Sequence, residues 1–254
     1  MGKIIAFANQ KGGVGKTTTA VNLAAALTEQ EQRVLLCDFD PQGNATSGFG
    51  IDPRSLETSI YELIIDEDAS VDDAIIHTEW ADVLGANVNL AGAEIDLIEL
   101  EQREYRLKMV LDQIRDDYDY ILVDCPPSLG LLTLNCLCAA DSFLVPLQCE
   151  YYALEGLTQL MTTIRAVQRN LNTDIQMEGV LLTMFDGRTN LSIQVVDEVK
   201  RHFGSKVFST VVPRNVRLSE APSHGQPITA YDRYCRGAEA YMALAQELLR
   251  RNIG

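Results

Sequence analysis

The sequence predicts an α/β protein: one domain spanning residues 1–254, a mostly parallel twisted β-sheet with helices on both faces. Three observations point there. Short apolar runs alternate with stretches of helical spacing, the pattern of strands buried on both faces and joined by crossover helices. The first run, Ile4-Ile5-Ala6-Phe7-Ala8, breaks into a glycine-rich turn and then a helix-forming segment. No internal repeat, low-complexity tract or Pro/Ser-rich linker divides the 254 residues, a length that one α/β core accommodates.

The elements follow in order. Strands are expected at 3–9, 33–38, 120–125, 142–147, 176–183 and 207–212, where apolar and β-branched residues cluster between turn formers. Helices are expected at about 17–30, 94–117, 130–139, 153–171, 190–203 and 236–251. Within 94–117, Ile95, Ile98, Tyr105, Leu107, Val110, Leu111 and Ile114 recur at helical spacing, which predicts one long core-facing helix. In the last helix Ala240, Tyr241, Leu244, Ala245, Leu248 and Leu249 form a broad apolar stripe of the kind that packs on a core. Residues 50–80 read poorly, as short helices near 56–64 and 70–76 in an acidic, exposed insertion.

Composition narrows the function. Hydrophobic residues make up 46% and charged residues 22%, ordinary for a globular protein. No apolar run approaches the roughly 18 residues of a membrane span, and the N-terminus lacks the layout of a signal peptide. The six cysteines form no CxxC pair and read as reduced core residues of a cytosolic protein. The net charge of −15 is unevenly spread: residues 1–127 hold 9 basic and 24 acidic side chains, whereas 188–236 hold 8 basic and 4 acidic. A negative lobe and a locally basic face can therefore coexist, and net charge does not exclude nucleic acid.

The chemistry centres on Lys11-Gly12-Gly13-Val14-Gly15-Lys16-Thr17-Thr18 between the first strand and first helix. Glycine backbone N–H groups can point at phosphate oxygens, the helix start adds partial positive charge, Lys16 suits β/γ-phosphates, and the Thr17 hydroxyl suits Mg2+. The usual pattern asks for glycine where Gln10 stands, and a second lysine, Lys11, sits at the mouth of the loop, better placed to reach outward than back. In an open parallel sheet, ligands bind beyond the carboxyl ends of strands. There the sequence places Asp38 and Asp40, sharing a face and followed by Pro41-Gln42-Gly43, and Asp124, capping Tyr120-Ile121-Leu122-Val123 as a carboxylate for the Mg2+ water shell.

These motifs, with Asp124-Cys-Pro-Pro-Ser, Gln148-Cys-Glu-Tyr-Tyr-Ala-Leu-Glu-Gly and Pro213-Arg-Asn-Val-Arg-Leu-Ser-Glu-Ala-Pro-Ser-His-Gly, resemble the ParA/Soj chromosome-partitioning ATPases, deviant Walker A members of the P-loop class. The resemblance covers essentially the whole chain. It implies ATP and Mg2+ as cofactors and Lys11 as a lysine reaching the phosphates of a partner's ATP in a homodimer. Thr17, Asp40 and Asp124 would serve the metal, Asp40 also positioning the attacking water. Pro213, Arg214 and Asn215 would hold the adenine. Arg188 and Arg217 would contact double-stranded DNA without sequence preference. The same resemblance implies a slow basal ATPase stimulated by a ParB/Spo0J-like protein, and a cytoplasmic, nucleoid-associated protein without stable membrane association. Two alternatives use a similar loop: a MinD-like membrane-positioning ATPase, which needs a basic amphipathic C-terminal helix, and a nitrogenase-iron-protein-like electron carrier, which needs ligating cysteines beyond Asp124.

Overall fold

The computed structural model describes residues 1–150 and 153–252. The Tyr151-Tyr152 pair of the 148–156 motif and the closing Ile253-Gly254 lie outside the described residues. Eight strands form one sheet in the order β3-β4-β2-β5-β1-β6-β7-β8: β1 Lys3–Phe7, β2 Val34–Asp38, β3 Ile75–His77, β4 Asp82–Leu84, β5 Tyr120–Asp124, β6 Ser142–Gln148, β7 Gln176–Phe185 and β8 Val207–Pro213. Every pairing is parallel except β3 with β4. All five residues of β2 and of β5 are buried, as expected of central strands covered on both faces. The six sequence-predicted strands are all present.

Helices cover both faces. They are α1 Lys16–Thr28, α2 Asn44–Gly48, α3 Ile60–Ile65, α4 Val71–Ala74, α5 Ala93–Asp96, α6 Arg106–Ile114, α7 Leu131–Ala139, α8 Ala153–Asn170, α9 Asn190–Phe203, α10 Val216–Glu220, α11 Ile228–Tyr231 and α12 Arg236–Asn252. Alternation along the strands splits the core in two. Ile4, Leu35, Ile121 and Phe143 face one side, with α3, α6 and α7. Ile5, Leu36, Leu122 and Leu144 face the other, with α1 and α12. The stripe on α12 is core: Tyr241, Leu244, Ala245 and Leu248 are buried, and the Tyr241 hydroxyl lies 3.3 Å from Thr19 Oγ1 on α1.

Two expectations fail. The long helix over 94–117 does not exist: α5 ends at Asp96, a 3-10 turn covers Leu97–Glu99, and only α6 continues. Ile95 and Ile98, expected in the core, are exposed, while Leu107, Val110, Leu111 and Ile114 are buried. The helical run ends at Leu100, which is extended (φ −83°, ψ 142°), and Gln102, left-handed at φ 52°, keeps it from joining the next helix. A residue from elsewhere starts the next helix. Asn135 on α7 accepts the Leu107 N–H at 3.1 Å and donates to Arg103 O at 2.8 Å, satisfying groups that a helix start leaves open.

The 50–80 segment is not an exposed insertion. Ser59 and Glu62 form a capping box that begins α3, and Ile60, Leu63, Ile64, Val71 and Ala74 are buried in the core. The second short helix, expected over 70–76, ends at Ala74 because the chain turns into β3, which pairs with β4. Both strands are three residues long, too short for alternation to register in a sequence.

Candidate functional site

The sheet order places the glycine-rich loop between the ends of two other strands. β1 lies between β5 and β6, with Phe7 paired to Asp124, and β2 pairs with β5 so that Asp38 stands opposite Asp124. Residues Asn9–Gly15 therefore leave β1 at the level where two carboxylates emerge. Side-chain bonds from the neighbouring strands fix the loop: Asn9 Nδ2 donates to Pro146 O at 2.8 Å, Asn9 Oδ1 accepts the Lys11 N–H at 3.0 Å, and Thr183 Oγ1 donates to Val14 O at 2.8 Å. Gly13 and Gly15 have φ of 73° and 90°, a region that glycine enters without strain. A Cβ on Gly12 or Gly13 would meet nothing within 4 Å among the described residues.

α1 starts at Lys16 with no side-chain cap and no acid in its first turn. Its first amides are thus free for an anion. Lys16 is buried, Thr17 and Thr18 are half-buried, and Lys11 is exposed. Lys11 forms an ion pair with Glu150, just past β6. The lysine expected to reach outward is held by an acid of its own chain.

The acids differ in their partners. Asp38 is fully buried and accepts the Asp40 N–H at 3.2 Å, the Thr46 N–H at 2.8 Å and the Thr46 hydroxyl at 2.7 Å. Burial pushes its pKa from 3.8 up to about 6, against those hydrogen bonds, and the Asp40 charge adds to the rise. Asp40 accepts the Gln42 N–H at 3.0 Å. Asp124 is fully buried, and among the described residues neither of its oxygens has a hydrogen bond of full geometry. Burial first, then the neighbouring Asp38 charge, hold its pKa well above the usual range, while the Thr17 hydroxyl and the Lys16 charge oppose the rise.

A buried carboxylate with two open oxygens needs a counter-charge, and Thr17 stands beside it. Among the described residues no three His, Cys, Asp or Glu side chains converge on one point. One carboxylate and one hydroxyl form the sparse donor set of Mg2+, which keeps water and phosphate oxygens as its other ligands. The residues present fit that ion.

Pro213, Arg214 and Asn215 follow β8 and line a cavity of about 360 Å3 with Gly15, Thr18 and Met184. It adjoins the glycine-rich loop and can receive a planar group attached to a phosphate chain. Met184, at φ 50°, is one of three non-glycine residues in the left-handed region among the described residues, and strain of this kind gathers at binding sites. Arg188 lies in the loop after β7 and Arg217 on α10 after β8, both beyond the carboxyl ends of their strands. Neither is a free cation: Arg188 is bidentate to Asp186 at 2.8 and 2.6 Å, and Arg217 pairs with Glu220 and Asp232. Cys125, next to Asp124, is buried in the core, its thiol 3.8 Å from Val123 O.

Sequence reasoning missed Glu150, Thr183, Met184 and Thr46. Thr183 was within reach of the strand-end rule, since it ends a predicted strand; the others required knowing which loops meet.

Comparison with known proteins places this arrangement. A family described as an AAA domain matches residues 2–177. The chain is 61% identical over 250 residues to the sporulation initiation inhibitor protein Soj of Bacillus subtilis, covering 98% of each chain. It is 54% identical over 254 residues to the chromosome partitioning protein ParA of Myxococcus xanthus, covering 99% of this chain and 89% of that one. Among solved structures it resembles a cobyrinic acid a,c-diamide synthase from Mycobacterium smegmatis with bound ADP and magnesium, at TM-score 0.88 and 41% identity over 100% of this chain and 96% of the other.

Proposed function

The chain belongs to the Soj/ParA family of chromosome-partitioning ATPases, and from that premise we propose that it is an ATP-driven dimerising switch that binds DNA without sequence preference. The observation that carries this reading is Asp124, buried without partners beside Thr17 and level with Asp38 at the end of the glycine-rich loop. Mg2+ bound there would neutralise charge between the β- and γ-phosphates. The rest falls to the chain's own residues. The Gly12–Gly15 amides and the start of α1 hold phosphate oxygens, Lys16 neutralises them from inside the fold, and the cavity at Pro213–Asn215 takes the base. Asp40 orients the attacking water.

Lys11 gives the switch its second chain. Released from Glu150, it reaches the phosphates of a partner's nucleotide, where a cation supplied in trans stabilises the transferred phosphoryl group. Closing the dimer brings two sets of Arg188 and Arg217 onto one face, and two weak basic faces together hold DNA phosphates. A ParB-like protein then speeds hydrolysis and release from the nucleoid. A MinD-like membrane role is disfavoured by α12, whose apolar stripe is used inside the core. The amide synthesis named for the Mycobacterium smegmatis structure fits less well than partitioning, because the partitioning relatives share 61% and 54% of residues over nearly the whole chain.

The test is retention on duplex DNA with ATP and with ADP, using wild type and Asp40→Ala. Wild type binds with ATP and releases as ATP is consumed, and Asp40→Ala stays bound. Equal retention with ATP and ADP refutes the switch.

A further inference from the structure

Asp40 rides on the loop between β2 and α2, and both ends of that loop are tied to one carboxylate. Asp38 Oδ1 takes the Asp40 N–H and Asp38 Oδ2 takes the Thr46 N–H and hydroxyl. Thr46 has a third bond. Its Oγ1 accepts the Ala86 N–H at 3.0 Å, just beyond β4. The surroundings leave little slack. A Cβ on Gly43, whose φ is 62°, would stand 2.8 Å from Ala86 O, and one on Gly85 would stand 3.2 Å from Thr46 Cγ2. Thr46 and Asp38 are both fully buried, so water cannot replace a lost partner.

We infer that Thr46 is a positioning residue for hydrolysis: its hydroxyl joins Asp38 to the β4 exit and thereby holds the Asp40 loop in register with the phosphate site. This rests on the ATPase reading above and assigns the site a further residue. Thr46 is placed to act through the loop, with its own hydroxyl spent on Asp38 and Ala86. A hydroxyl is required because one atom must donate to the carboxylate and accept from an amide; a methyl of the same size does neither. Removing it leaves Asp38 with one donor fewer and the Ala86 N–H unpaired, and the loop can shift. A displacement of about 1 Å at a reacting group can cost on the order of 100-fold in rate.

The experiment compares steady-state ATP hydrolysis, ATP affinity by calorimetry and thermal melting for wild type, Thr46→Val and Thr46→Ser. Thr46→Val should lower kcat by about 10- to 100-fold while the ATP Kd stays within about threefold, and Thr46→Ser should recover most of the rate. Gly85→Ala, whose Cβ would meet Leu56 Cδ1 at 2.9 Å and the Thr46 methyl at 3.2 Å, presses on the same contact and serves if Thr46→Val does not fold; it too should lower kcat more than affinity. A wild-type rate in Thr46→Val, or an equal loss in Thr46→Ser, overturns the inference. Absence of hydrolysis by wild type overturns the ATPase reading instead, so the two failures are distinguishable.

Discussion

The nucleotide-free protein should become more stable as pH falls from about 7 to 5, by more than relaxation of its net charge accounts for. The perturbation is proton uptake by Asp38 and Asp124. Asp38 titrates at 3.8 when unfolded and at about 6 when folded. A raised carboxylate pKa means that the folded state binds the proton more tightly. Its ionisation therefore weakens the fold as pH rises through the window from 3.8 to 6 and is fully felt above it. At 1.36 kcal/mol per pH unit, the rise is worth about 3 kcal/mol, a large share of the roughly 5–15 kcal/mol that stabilises a domain. Asp124 shifts in the same direction. Between pH 7 and 5 about 1.3 kcal/mol of the Asp38 contribution is recovered, which for a chain of this size corresponds to about 3–5 °C in melting temperature. Carboxylates with lowered pKa act in the opposite sense at lower pH; Asp186, at about 2 beside Arg188, changes charge below the window. The assay is thermal melting in chelator between pH 5 and 7.5, with and without Mg2+ and ATP. The net charge of −15 also relaxes on acidification, so the Asp38→Asn, Asp124→Asn double variant is the control. Its slope should be much flatter than wild type, and Mg2+ with nucleotide should flatten the wild-type slope. A double variant with the wild-type slope would refute the assignment to these two groups.

Two further outcomes test the packing. Asn135→Ala should cost about 2–6 kcal/mol in urea unfolding, because the Leu107 N–H and the Arg103 carbonyl each lose a partner at about 1–3 kcal/mol apiece; a loss under about 0.5 kcal/mol would show that water replaces the side chain. Ile95→Ser should change stability by no more than about 0.5 kcal/mol, since Ile95 is 73% exposed, whereas Leu111→Ala, at a fully buried position, should cost about 2–5 kcal/mol.

The glycine-rich loop, its flanking strand and helix, and the strand-end acids were legible because each is local: apolar run, glycines, then helical spacing. The same locality explains the errors. Ile95 and Ile98 keep helical spacing with Leu107 and Leu111, yet the left-handed Gln102 and the cap from Asn135, 28 residues past Leu107, decide where the helix begins. β3 and β4 carry too few residues to show alternation. The Thr46–Ala86 bond and the Lys11–Glu150 pair span distant parts of the sequence, and neither residue type hints at its partner. The arginines were readable as cations, but Asp186 and Glu220 as their partners were not.

Those internal ion pairs make the proposed DNA binding an exchange of ions. A phosphate that takes Arg188 or Arg217 must displace a carboxylate already in place. DNA releases condensed cations when it is neutralised, but the displaced Asp186 and Glu220 would recruit cations in return. The net release per arginine then falls, and affinity declines less steeply with salt than the same number of unpaired cations would impose. On the proposed reading, each protomer carries in Asp186 and Glu220 its own competitors for DNA phosphates.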